Sequence, residues 1–264
     1  MIVLRSLLFN VYFFTLTAAG LLGYWVLLPL SRATFQNAVR LWQRLVFGGL
    51  KVLCGITWEV RGRERIPKGA AVFACKHQSA WDTMAFYALV ADPAYVLKKE
   101  LTQIPFWGWY VQKTRQIVVD RRAGMKALKD LAAFAKTLLA EGRQVVIFPQ
   151  GTRVAPSGAR MKDSPGGVMP SGMHSHDRPY QPGVYAIYDS ADAPVFPVAL
   201  NSGLFWGRRN FRKYPGTITL EILEPMPKGM DRKPFTAELE RRIEAASTRL
   251  AEEARARFPG LPRG

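Results

Sequence analysis

Residues 70–90 read AAVFACKHQSAWDTMAFYALV, and the order of residue types in this stretch decides the fold class. Residues 70–74 form an apolar run of strand length, and residues 81–90 read as a helix beyond the polar bridge Lys76-His77-Gln78-Ser79. A strand feeding a helix through a short polar turn is the repeating unit of an α/β layer arrangement. His77 then stands at the carboxyl end of a strand and the mouth of a helix, where open α/β sheets form ligand crevices.

The same rhythm continues outward. Further strands are expected at 57–61, 94–97, 116–119, 144–148, 195–199 and 218–222, and the clearest additional helices at 124–141 and 235–258. No internal repeat interrupts them. The expected fold is α/β, a mixed sheet flanked by helices, occupying residues 57–264.

Residues 1–56 differ in kind. Residues 6–30, SLLFNVYFFTLTAAGLLGYWVLLPL, carry no charge and are long enough to span a bilayer. They continue too far beyond a signal-peptide core to read as a cleaved leader. Arg5 precedes the run, whereas Arg32, Arg40, Arg44 and Lys51 follow it, which places the main domain on the cytoplasmic side. Residues 34–55 repeat apolar side chains at helical spacing with cations between them, the pattern of an amphipathic helix at a membrane interface. The expected N-terminal part is therefore a helical membrane anchor, either spanning or entering one leaflet as a re-entrant pair.

The 264 residues carry 37 Lys plus Arg against 20 Asp plus Glu, a net charge of +17 that favours an anionic partner such as an anionic phospholipid surface or a phosphorylated substrate. Nucleic acid is not expected, because the charges are spread evenly and no nucleic-acid motif occurs. Cys54 and Cys75 lie in or beside apolar runs and read as buried free thiols. An irregular inserted loop is expected at about 155–182, rich in Gly and Pro. Its Met161, Met169, Met173, His174 and His176 lack the spaced ligand pairs of a metal site, so no metal is expected.

With those two histidines set aside, His77 is the remaining candidate base. By itself the segment leaves open whether His77 is a base or a histidine bonded to backbone. Ser79 to Asp82 also has the form of a capping box, with Asp in place of Glu. On one continuous helix His77 and Asp82 would point about 140° apart, so contact between them requires His77 to lie in the turn before the cap. Asp82 can then accept from Nδ1 and leave Nε2 as a base. Gln150-Gly151-Thr152-Arg153 follows the apolar run QVVIF and offers amides, a hydroxyl and a guanidinium, a set suited to phosphate. Arg121 with Arg122, and Lys98 with Lys99, place further cations after two other strands.

In this order and spacing, these elements resemble the glycerolipid acyltransferases typified by bacterial 1-acylglycerol-3-phosphate acyltransferases. The family's histidine, four residues, aspartate element is similar to His77 through Asp82, its second element to Val118 through Arg121, its Glu-Gly-Thr-Arg to residues 150–153, and its apolar run around a proline to residues 193–198. The resemblance implies transfer of a fatty acyl group from acyl-CoA or acyl carrier protein (acyl-ACP) to the free hydroxyl of a lysophospholipid, chiefly lysophosphatidic acid, with no further cofactor. It implies His77 as general base oriented by Asp82, and Arg121, Gly151, Thr152 and Arg153, with Lys99 as a helper, as the phosphate grip. Localisation at the cytoplasmic (inner) membrane follows. An acceptor without phosphate, such as lyso-ornithine lipid, is the alternative, as is a basic membrane-binding protein without chemistry.

Gln150 departs from the family's glutamate. If that glutamate acts through its charge, activity or head-group choice changes here; if it only orients neighbours, Gln150 is a near-isostere.

Overall fold

The computed structural model describes residues 1–154 and 179–262. The irregular loop falls mostly outside the described residues, together with Met161, Met169, Met173, His174 and His176. All seven expected strands are present, displaced at their ends by two residues at most: β1 (Ile56–Arg61), β2 (Ala71–Cys75), β3 (Pro93–Lys98), β4 (Ile117–Val119), β5 (Gln144–Ile147), β6 (Val195–Leu200) and β7 (Gly216–Ile222). They form one mixed sheet in the order β1-β7-β6-β2-β5-β3-β4. Neighbours are parallel except β6 and β7, which run antiparallel.

Eight α-helices accompany the strands among the described residues: α1 (Ile2–Gly23), α2 (Arg32–Gly49), α3 (Asp82–Leu89), α4 (Trp107–Lys113), α5 (Gly124–Ala140), α6 (Gly183–Ser190), α7 (Ser202–Phe205) and α8 (Arg232–Arg257). Central β2 shows why the sheet needs two layers of helices. Its side chains alternate faces, so Ala71, Phe73 and Cys75 pack with Val46 and Phe47 of α2 and Met84 and Phe86 of α3. Val72 and Ala74 pack on the other face with Leu131 and Leu138 of α5, Ile187 of α6 and Phe235 of α8. A strand enclosed on both faces must be apolar throughout, which is what AVFAC supplies.

At the N-terminus, residues Ile2–Leu27 form a helix that is long and apolar enough to cross a membrane by length and composition, with mean hydropathy 1.6. The helix is also fastened to the domain near both ends. Ser6 Oγ accepts from the Lys213 amide at 2.8 Å, and the Tyr110 hydroxyl donates to the Leu21 carbonyl at 2.7 Å. Phe9 is fully buried, edge-on to Trp206 with ring centres 5.3 Å apart. The helix therefore lies along the domain, and its other face leaves Val3, Leu4, Leu7, Leu8, Val11 and Phe14 exposed. Ser31 caps α2 by accepting from the Thr34 amide. Cys54 and Cys75 are free and buried.

Candidate active site

β2 ends at Cys75, and the Lys76 amide still donates to the Val198 carbonyl of β6. Beyond it the chain leaves the sheet and folds back over residues 77–81 before α3 begins at Asp82. This turn meets the geometric condition set by the sequence. His77 Nδ1 lies 3.0 Å from Asp82 Oδ2, with the His77 side chain slightly exposed and that of Asp82 fully enclosed. The same carboxylate oxygen accepts the amides of Gln78 at 2.6 Å and Ser79 at 2.8 Å. Asp82 is thus both the acceptor that stabilises the turn and the partner of the imidazole. The capping box is rearranged, because Ser79 Oγ accepts from the Trp81 amide rather than from that of Asp82. With Nδ1 donating to the carboxylate, Nε2 carries the free lone pair.

The other carboxylate oxygen is bound from far along the chain. Ser202, the first residue of α7, donates its hydroxyl to Asp82 Oδ1 at 2.5 Å, and the adjacent Gly203 amide donates to Gln78 Oε1 at 3.0 Å. The four-residue α7 therefore closes over the turn. Ser202 is not legible in the sequence as a site residue, since its only signal is a position just after β6. Lys76 is buried beside His77, where loss of hydration lowers its pKa against the opposing pull of Glu244. Both Glu244 oxygens accept from Lys76 Nζ, at 2.6 and 2.7 Å, and the Tyr180 hydroxyl donates to the same carboxylate.

The second half of the site follows β5. Phe148 stacks on the imidazole of His77 with ring centres 4.1 Å apart, and the chain then turns sharply at Gly151, φ 65°. A Cβ there would stand 2.5 Å from Arg121 Nη2, the far end of a flexible side chain that can give way, so it is the positive φ that calls for glycine. Immediately beyond the corner, the Val154 amide donates to the His77 carbonyl at 2.7 Å.

These parts surround a cavity of about 650 Å³ lined by His77, Arg121, Gly151, Thr152 and Arg153 among others. Arg208 and Lys98 join them, and Arg208 also donates to the Arg153 carbonyl. Lys99, in contrast, pairs with Asp120 at 2.9 Å and is absent from the lining. Gln150 is absent from it too. Its side chain is only 2 % exposed, and neither amide atom has a hydrogen-bond partner among the described residues. A second, strongly apolar cavity of about 280 Å³ lies between α1, α2, α3 and α4, and the two share Thr83, Leu97 and Leu101 as walls.

His77, paired with the buried carboxylate of Asp82, thus faces a cavity whose rim carries the guanidinium groups of Arg121, Arg153 and Arg208, and the class of protein that carries this arrangement is a transferase. The chain belongs to the acyltransferase family, whose family model matches residues 57–201. It is 36% identical over 236 residues to the 1-acyl-sn-glycerol-3-phosphate acyltransferase of Pseudomonas aeruginosa, covering 88% of this chain and 84% of that one. The human 1-acyl-sn-glycerol-3-phosphate acyltransferase alpha is 25% identical over 70% of this chain and 60% of its own length. The crystal structure of the 1-acyl-sn-glycerophosphate (LPA) acyltransferase PlsC from Thermotoga maritima has the same fold, with a TM-score of 0.67, 24% identity, and coverage of 98% of this chain and 99% of that one.

Proposed function

We propose that this enzyme transfers a fatty acyl group from a thioester, acyl-CoA or acyl-ACP, to the sn-2 hydroxyl of 1-acylglycerol-3-phosphate, forming phosphatidic acid for phospholipid synthesis. The observation that carries the proposal is the opening of His77 into a cavity rimmed by Arg121, Gly151, Thr152, Arg153 and Arg208. A phosphate on that rim would be held by charge-assisted hydrogen bonds, leaving the glycerol hydroxyl within reach of the base. The names of the relatives support this acceptor.

His77 Nε2 takes the hydroxyl proton as the oxygen attacks the thioester carbonyl, and Asp82 stabilises the imidazolium that results. Collapse of the tetrahedral intermediate breaks the carbon–sulfur bond, and the imidazolium returns its proton to the departing sulfur. The products are the new ester and a free thiol, so no further cofactor is consumed. The adjoining apolar cavity supplies a place for a fatty chain, reached past Thr83, Leu97 and Leu101. The outward apolar face of α1 seats the enzyme on the inner membrane, with the charged domain on the cytoplasmic side.

The test offers palmitoyl-CoA with lysophosphatidic acid or lyso-ornithine lipid to the purified enzyme in detergent and records thiol release. The expected result is release with lysophosphatidic acid, its loss in His77→Ala, and little release with lyso-ornithine lipid. Equal release by wild type and His77→Ala overturns the mechanism. A preference for lyso-ornithine lipid overturns the acceptor.

A further inference from the structure

We infer that residues 101–109 form a second membrane-contacting element, separate in sequence from the N-terminal helices, that sets the mouths of both cavities against the lipid surface. The inference rests on the membrane reading of α1 given above.

Residues 101–109 read LTQIPFWGW, and Leu101, Ile104, Trp107 and Trp109 are all exposed, Trp109 by 55%. An exposed group of this size, with two tryptophans, is unusual on a surface that faces only water. Phe106 adopts φ 64°, a backbone state that bulky side chains rarely occupy, and its ring meets Trp109 edge-on at 5.5 Å. The chain therefore holds a strained turn that keeps these aromatic rings together at the start of α4. Strain of this kind persists where surrounding structure enforces it.

What covers the group is indicated by its neighbours. Tyr110 donates its hydroxyl to the Leu21 carbonyl, and Lys113 Nζ donates to the Leu30 carbonyl at 2.5 Å. These bonds join α4 to the far end of α1 and to the turn before α2, where Leu22, Trp25, Val26 and Leu30 are exposed. The two apolar groups therefore adjoin each other at the C-terminal end of α1, whose N-terminal half carries its own exposed apolar side chains. Lys98 and Lys99 precede the segment and Lys113 follows it, so the patch is flanked by cations, as suits the boundary of an anionic bilayer. Leu101 lines both cavities and Trp107 lines the apolar one. A bilayer resting on this element would deliver a lipid acceptor and an acyl chain sideways, without carrying either through water.

The test places one cysteine at a time at Ile104, Trp109, Leu8 or Lys228, none of which lines either cavity. Each is labelled with an environment-sensitive fluorophore, the native Cys54 and Cys75 being buried. The full-length protein is bound to phosphatidylethanolamine and phosphatidylglycerol vesicles containing doxyl-labelled lipid. Quenching at positions 104 and 109 should reach roughly half or more of that at position 8, with little at position 228, which lies beside the other helical layer. Quenching at 104 and 109 no greater than at 228 overturns the inference. Strong quenching at 8 in that case leaves the membrane reading of α1 standing, and its absence there removes both.

Discussion

The Ser202 hydroxyl donates to Asp82 Oδ1 at 2.5 Å although 120 residues separate the two, and both side chains are fully buried. The bond leaves the carboxylate with a donor on each oxygen, so the imidazole faces a group that cannot rotate without breaking several bonds.

Ser202→Ala removes one donor from a buried carboxylate, leaving Asp82 Oδ1 without its partner and the turn that carries His77 less firmly held. We expect kcat to fall about tenfold, the worth of one charge-assisted hydrogen bond, with KM little changed and Ser202→Thr restoring most of the rate. A role confined to packing would show as a lower Tm with kcat near wild type.

His77→Ala and Asp82→Ala should separate chemistry from folding. Both are expected to abolish turnover, but only loss of Asp82 leaves the buried amides of Gln78 and Ser79 without their acceptor. The expected cost is on the order of 3 kcal/mol, seen in a thermal melt as a Tm lower by roughly 6 °C or more, with His77→Ala near wild type. Equal melting of the two variants contradicts this division.

Gln150 points to a different expectation from the one its motif suggests. Since its amide is buried outside the cavity lining and meets no partner among the described residues, Gln150→Met should keep kcat/KM within about threefold. Gln150→Glu places a carboxyl where burial raises its pKa above the unfolded value. Its stability deficit should therefore be small in acid and grow as pH rises above about 4.3, as followed by Tm against pH. A hundredfold loss of activity in Gln150→Met would show that the amide acts directly.

Lys213, under α1, is buried against Trp206, and loss of hydration lowers its pKa from 10.5 to about 8, opposed by the nearby Cys54. Below about 8 it is charged in both states, and its burial cost is fully present. As pH rises further, the folded protein releases the proton before the unfolded chain does, so stability climbs by up to about 1.4 kcal/mol per pH unit. Cys54, raised from 9.0 to about 11 by burial, contributes the opposite slope from its unfolded value upward. The rise should therefore be clearest between pH 8 and 9 in thermal unfolding, and Lys213→Met should flatten it.

The sheet was legible because its strands are short apolar runs bounded by turns, and β2 shows the reason: burial on both faces leaves no room for polar residues. The short helices α4 and α7 were not legible, since seven and four residues are too few for a helical period to declare itself, and α6, no shorter than α3, follows the Gly- and Pro-rich loop instead of a strand and polar turn. In the candidate site, His77, Asp82, Arg121 and the 151–153 corner, which the structure brings to one cavity or its wall, were visible as side chains placed after strands. Ser202, Gln78 and Arg208 were not, because their roles come from sheet order: β6 runs beside β2 and delivers α7 onto the turn. Lys99 had the right position in sequence but faces Asp120 instead.

The hydrogen bond from the Val154 amide to the His77 carbonyl joins the corner that would hold the phosphate to the backbone of the base itself. If the base and the anion rim act as proposed, this bond ties their backbones together, so the two would shift as a unit rather than separately. The proposed acceptor would then meet a spacing between its phosphate and its hydroxyl that backbone geometry, rather than side-chain adjustment alone, helps to set.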